Sequence, residues 1–187
     1  MKQDKKQQIV EAATKLLAEK GYEKASIKDI AKESGITPGL VHYYFQNKEE
    51  ILSEVVLQAS NQYTHVMQAL KQAVPAEQIG KAAMGEPRDR VRDQPDWYRL
   101  RYELFAIGLR NPSLADKVNH ILDHGRSGIT SILEQLMPES EETDAAAAIL
   151  LACFDGFALQ KLLNPNFDLD GAYLVLEKMV LSLKDTR

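Results

Sequence analysis

Between Ser26 and Lys48 the chain gathers side chains suited to hydrogen bonding with phosphate oxygens and base edges of a nucleic-acid duplex. Ser26, Thr37 and Tyr44 carry hydroxyls and Lys48 an ammonium, the kinds of donor that hold a protein in register on a phosphate backbone. Leu40, His42 and Tyr43 offer what a groove floor can be read with: aliphatic surface for a thymine methyl, and an imidazole and a phenol for base edges or adjacent phosphates. Gly39 among them permits close backbone approach.

Two short helices and a tight turn are needed to position these groups. Ser26-x-x-Asp29 is a capping-box variant that opens a first helix, whose Ile27, Ile30 and Ala31 share an inward face. Gly35 ends it, because a residue without Cβ enters a left-handed turn cheaply. Thr37 is a good N-cap for the second helix, and Pro38 at its first position forfeits no bond it could have made. Val41 and Phe45, four apart, face the interior together, which leaves Gly39, Leu40, His42 and Tyr43 on the outer surface. Such a helix buries little and shows much, as an element entering a DNA groove must.

The run Gly35-Ile36-Thr37-Pro38-Gly39-Leu40-Val41-His42-Tyr43-Tyr44-Phe45, followed by Lys48-Glu49-Glu50-Ile51-Leu52, resembles the DNA-binding signature of the TetR/AcrR family of bacterial transcriptional regulators. It matches at Gly35, Thr37, Gly39, Val41, Tyr44-Phe45 and Lys48-Glu49. It departs at His42, where the family has Tyr, although an imidazole still donates to a phosphate. The resemblance implies a helix-turn-helix DNA-binding domain over 1–47 and a helical ligand-binding and dimerisation domain over 48–187. It also implies a homodimer on a pseudo-palindromic double-stranded DNA operator, and repression relieved by a small-molecule effector that turns the helix beginning at Lys48. Pro38 to Tyr44 would lie in the major groove and Lys28 would reach a guanine. Ser26, Thr37, Tyr44 and Lys48 would hold phosphates. Lys48 sits at the positive end of its helix, where a cation is disfavoured by about 0.3–1 kcal/mol; a phosphate would remove that conflict, and a solvated lysine would leave it. Activation by the same fold, or a helical adaptor that binds only protein, are the alternative readings. An enzyme would be a different class, using scattered carboxylates. No glycine-rich phosphate loop follows a strand and no nucleophile motif stands out, so neither catalysis nor a cofactor is expected.

Composition sets wider bounds. The 187 residues suffice for one large or two small domains, and 44% are hydrophobic. No apolar run is expected to approach the roughly 18 residues of a membrane span. The N-terminus lacks the uninterrupted apolar core of a secretory signal. With Cys153 as sole cysteine there is no internal disulfide, and a reduced cytoplasmic location is expected. Residues 1–48 hold nine basic and six acidic residues, a net of +3, and the remainder fourteen and twenty-one, a net of −7. A positive head on a negative body suits a protein that meets phosphate with one end, although ordinary fluctuation gives the same asymmetry.

The rest of the chain reads as all-α, with no strand alternation and no repeat. Asp4-x-x-Gln7 caps a first helix that Gly21 stops. Asn47 and Glu50 cap a long helix from Lys48 to about Gln72. Ala76–Met84 reads as a short helix, and Gly85–Pro95 as a polar connection with one helical turn. Helices then follow at Trp97–Leu109, Pro112–Met137, Thr143–Asn164 and Leu169–Lys184.

In the helix from Thr143, the small residues Ala148, Ala152 and Gly156 with Leu151, Leu159 and Leu162 mark a self-complementary face, unless the helix is wholly internal core. The family resemblance implies the same pairing. Trp97, Tyr98, Tyr102 and Phe105 are dense for a chain with 7% aromatic residues. Together with Tyr63, Met67, Met84, Phe154 and Phe157 and the polar Arg101, His120 and Asp123, they make candidate walls for the effector, one of apolar or aromatic-compatible character, or else an aromatic core with no ligand. The segment Tyr98–Pro112 is similar to the ligand domain of the BetI type, and no ligand is carried over with it. His120 and His124 share a helix face, but without a zinc-protease Glu or a cysteine partner they are expected to be surface residues, with no metal site.

Overall fold

The computed structural model describes residues 2–138 and 140–182, and at 2, 3, 60, 62–64, 67 and 76 the backbone alone. Among them the elements are α1 (Lys2–Lys20), α2 (Ile27–Ser34), α3 (Pro38–Tyr44), α4 (Lys48–Ala73), a 3-10 turn at Ala76–Gln78, α5 (Ile79–Asp93), α6 (Pro95–Arg110), α7 (Pro112–Leu136), α8 (Thr143–Leu163) and α9 (Leu169–Ser182). No strand occurs among the described residues, so the chain is all-α as expected.

The start of α4 follows from its capping chemistry. The Asn47 side-chain oxygen accepts the Glu50 N–H at 2.9 Å, and the Glu50 carboxylate reaches back to accept the Gln46 N–H at 2.8 Å. Gly21 and Gly35 stop α1 and α2 in the left-handed region, at φ +75° and +66°. The expected Asp4 cap is corrected: α1 already begins at Lys2, so Asp4 lies inside the first turn, and Gln7 pairs instead with Glu11 and Gln58.

The stretch expected as a polar connection, Gly85–Pro95, folds instead as the second half of α5, with Pro87 inside the helix. Packing overrides the break signals. Glu86 and Arg90 form an i,i+4 ion pair, and the Arg90 guanidinium lies 4.6 Å from the Trp97 ring centre. The Tyr98 hydroxyl donates to the Pro87 carbonyl at 3.2 Å, and Pro87, Arg90 and Val91 are all buried. Arg90, which reads as part of a solvated loop, is therefore buried with its Glu86 partner beside it, while Asp89, Arg92 and Asp93 stay exposed.

The chain divides into two compact units. The first comprises 1–62 and 99–121, and the second 63–98 and 122–187. The contacts thus divide inside α4, α6 and α7. The first unit has one continuous core: Ile9, Val10, Leu16 and Leu17 of α1, Ile30 of α2, Val41 of α3, Ile51 and Val55 of α4, with Leu104 of α6 and Val118 of α7. In the second unit α5 packs on α8 and α9. Phe154 stacks on Tyr173 at 5.7 Å between ring centres, and Phe157 meets the same ring edge-on at 5.4 Å. Burial pushes the Tyr173 phenol well above its ordinary range.

Helix α8 is rich in alanine. Its mean hydropathy of 1.6 over eighteen residues makes it long and apolar enough to cross a membrane by composition alone. Alanine raises the average without forming an uninterrupted large-apolar run, and Asp155 lies inside the helix.

Candidate nucleic-acid interface

The interface is built from α2, α3 and the two loops that flank α2. At the start of α2 the Ser26 hydroxyl oxygen accepts the Asp29 N–H at 3.1 Å, while the Asp29 carboxylate accepts the Ser26 N–H at 3.1 Å and the Ser26 hydroxyl proton at 2.5 Å. These bonds hold the Asp29 carboxyl below its ordinary range, the Ser26 side chain contributing most. At the end of α2, Gly35 N–H bonds the Lys32 carbonyl and Ile36 N–H the Ala31 carbonyl, which closes the turn and buries Ile36. Thr37 then caps α3, its hydroxyl accepting the Leu40 N–H at 3.4 Å, with Pro38 at the first position.

Helix α3 is divided as the spacing required. Val41 is 0% exposed and Phe45 is buried. Pro38, Gly39 and His42 are exposed, as are Leu40 at 37% and Tyr43 at 63%. The Tyr43 and Tyr44 rings meet edge-on at 5.2 Å, with Tyr44 half-buried against the core. A Cβ added at Gly39 would meet nothing within 4 Å, so the free protein itself gives no steric reason for a glycine there. Lys28 is exposed on α2.

Two of the expected phosphate holders have other work in this structure. The single hydroxyl proton of Ser26 goes to Asp29. The Lys48 ammonium, half-buried, donates to the carbonyls of Tyr22 at 2.7 Å and Ala25 at 3.0 Å, and sits 4.0 Å from the centre of the Tyr22 ring. The conflict of a cation at a helix N-terminus is therefore already relieved within the protein, by two carbonyls of the loop before α2. One Lys48 donor remains for a phosphate. Sequence reasoning missed Glu103 of α6, which accepts the Tyr22 N–H at 2.5 Å from 81 residues away; no local pattern marks such a pair.

The expected effector residues fall in both units. A cavity of about 240 Å³ in the second unit is lined by Met84, Ile132, Leu150 and Phe154, with Lys81 and Glu177 also in its wall. Of the expected residues whose side chains are described, Met84 and Phe154 line it. Trp97 and Tyr98 instead cover α5, Phe157 packs on Phe167 and Tyr173, and Asp123 pairs with Arg126 at 2.8 Å. Arg101, Tyr102, Phe105 and His120 belong to the first unit, where buried Arg101 lies 4.7 Å from the Phe105 ring centre. The side chains of Tyr63 and Met67 lie outside the described residues. No group of three metal-ligating side chains occurs among the described residues.

On α8, Ala148, Ala152 and Leu159 are exposed and Gly156 and Leu162 half-buried. Leu151 corrects the expected pairing face. It is 8% exposed and points inward, its methyls filling the space that a Cβ at Gly125 would take. The outward face instead carries Ile149 (62% exposed) and Leu163 (77%), joined on α9 by exposed Leu174, Val175 and Met179.

Comparison with known proteins places these units. Residues 9–55 match the family profile of bacterial regulatory proteins, tetR family, and residues 81–184 match that of the BetI-type transcriptional repressor, C-terminal. The chain is 25% identical over 193 residues to the HTH-type transcriptional regulator PksA of Bacillus subtilis, covering 98% of this chain and 92% of that protein. It is 26% identical over 174 residues to the HTH-type nicotine-responsive transcriptional repressor HdnoR of Paenarthrobacter nicotinovorans, covering 87% and 86%. A TetR transcription regulator from Haloarcula marismortui shares the fold, with a TM-score of 0.81 at 17% identity over 94% of this chain and 96% of that one. With an outward α3 on a capped helix-turn-helix and a second profile spanning more than half its length, the chain belongs to the TetR family of bacterial transcriptional regulators, with a BetI-type C-terminal region.

Proposed function

We propose that this DNA-binding regulator is a repressor that pairs two-fold and sets one α3 in each of two successive major grooves, roughly 34–36 Å apart. The observation that carries this reading is the division of α3: Val41 anchors it, while Leu40, His42 and Tyr43 face outward. In the groove Leu40 meets a thymine methyl, His42 and Tyr43 reach base edges or adjacent phosphates, and Lys28 reaches a guanine. Thr37, Tyr44 and the remaining Lys48 donor hold phosphates. Ser26 contributes chiefly by holding α2 in place. Bound at its operator, the dimer blocks polymerase.

Pairing uses the outward faces of α8 and α9, through Ile149, Leu159, Leu163, Leu174 and Met179 with the small Ala148 and Ala152 between them. The effector is a compact, largely apolar molecule. The 240 Å³ cavity lies below the roughly 300–1,000 Å³ of drug-sized sites, and its walls are chiefly aliphatic. Its occupation turns α4 and spreads the paired heads, through a difference in affinity between the two states worth about 1–3 kcal/mol.

A mobility-shift titration against the DNA upstream of the protein's own gene tests the reading. The expected result is a salt-sensitive, sequence-specific complex of two protomers. Absence of such a complex favours a protein-binding adaptor.

A further inference from the structure

We propose that Glu103 of α6 is a positioning residue for DNA binding, acting with Lys48 to clamp the loop between α1 and α2 from both sides. The proposal rests on the DNA-binding reading above and adds a residue that touches no DNA in it.

The loop runs from Gly21 to Ala25, immediately before the Ser26 cap of α2. Its backbone is gripped at both polarities. Glu103 accepts the Tyr22 N–H at 2.5 Å, while Lys48 takes the Tyr22 carbonyl at 2.7 Å and the Ala25 carbonyl at 3.0 Å, its ammonium lying over the Tyr22 ring. Both grips are charge-assisted, and such bonds are shorter and stronger than neutral ones. Gly21 makes room for the first. Its φ of +75° disfavours any side chain, and a Cβ there would stand 3.1 Å from the Glu103 carboxylate. Residues on both sides of Glu103, Leu100, Leu104 and Ile107, belong to the same core as α1, α2 and α3, so α6 offers a firm base for the clamp. Fixing Tyr22 and Ala25 fixes where Ser26 begins α2, and α2 with its Gly35 turn aims α3.

Charge and position make opposite predictions for Glu103. As a bystander, a carboxylate in the DNA-binding unit only repels phosphate, so neutralising it would tighten binding. As a clamp, it acts through its acceptor oxygen. Glu103→Gln keeps an acceptor at the same reach and removes the charge. Glu103→Asp keeps the charge and withdraws the acceptor by one methylene. Operator affinity is measured for both across a salt series, together with amide hydrogen exchange of the DNA-free proteins.

The expected result is an about tenfold weaker complex for Glu103→Asp with the wild-type salt slope, and affinity within about threefold of wild type for Glu103→Gln. The Tyr22 amide should lose protection in Glu103→Asp alone. Tighter binding by Glu103→Gln with Glu103→Asp unchanged, or a salt slope altered by about one unit, would overturn the proposal. So would an unchanged Tyr22 exchange rate in Glu103→Asp. Exchange needs no DNA: a wild-type protein that binds no operator sinks the functional reading, while the exchange comparison still judges the clamp.

Discussion

Gly35 and Gly39 lack a β-carbon for different reasons, and a stability measurement separates them. Gly35 sits at φ +66°, where any side chain is strained. Gly39 lies within helix α3 with open space around it. Gly39→Ala should therefore stabilise the free protein, by up to about 1 kcal/mol from helix propensity, while weakening operator binding about tenfold where the new methyl meets the groove. Unchanged DNA affinity would remove the close-approach role. Tyr43→Ala should alter sequence preference and leave stability within about 0.5 kcal/mol, since its ring is mostly exposed. A site-selection experiment recovering the same operator would reject its reading role. Lys48→Ala should cost stability as well as affinity, because two loop carbonyls lose their donor. A salt slope flatter by about one unit would mark its third donor as a phosphate contact.

At the scale of the element, the helix-turn-helix was legible because its signals are local. Ser26 with Asp29, Gly35, Thr37 and Pro38 each act within four residues, and the structure carries out each of them. The capping box also gives α2 a pH dependence of definite sign. The box favours ionised Asp29, so its contribution is full above the ordinary carboxyl value of 3.8 and is lost as the pH falls through the lowered folded-state value. Amide protection factors across Ile27–Ser34, corrected for the intrinsic pH dependence of exchange, should fall on acidification below about pH 4, and Ser26→Ala should blunt that response and cost about 0.5–2 kcal/mol. Helix α5 was not legible for the converse reason. Gly85, Pro87 and a run of charges are local signals for a connection, and they yield to a tyrosine hydroxyl and a tryptophan face brought from α6, beside the Glu86–Arg90 ion pair within α5. Glu103 and the inward Leu151 were hidden alike, since long-range partners decide where each side chain goes.

At the scale of the whole molecule, helical periodicity without strand alternation gave the all-α class and the distribution of charged residues gave the asymmetry, but an apolar helix such as α8 carries no stripe to tell its two faces apart. Burial does so, turning Leu151 inward and leaving Ile149 and Leu163 outside. Replacing both outward residues, Ile149→Lys with Leu163→Glu, should yield a folded monomer by sedimentation at micromolar concentration and abolish tight operator binding. A dimer unaffected by the pair would move the interface elsewhere. The central claim, that α3 reads duplex DNA in two copies, is tested most directly by hydroxyl-radical footprinting of the wild-type protein on its upstream region. The expected result is two protected half-sites whose centres lie one helical turn apart, both needing about tenfold more protein in the Gly39→Ala variant. A uniform or absent footprint, or protection by a single monomer, would contradict it.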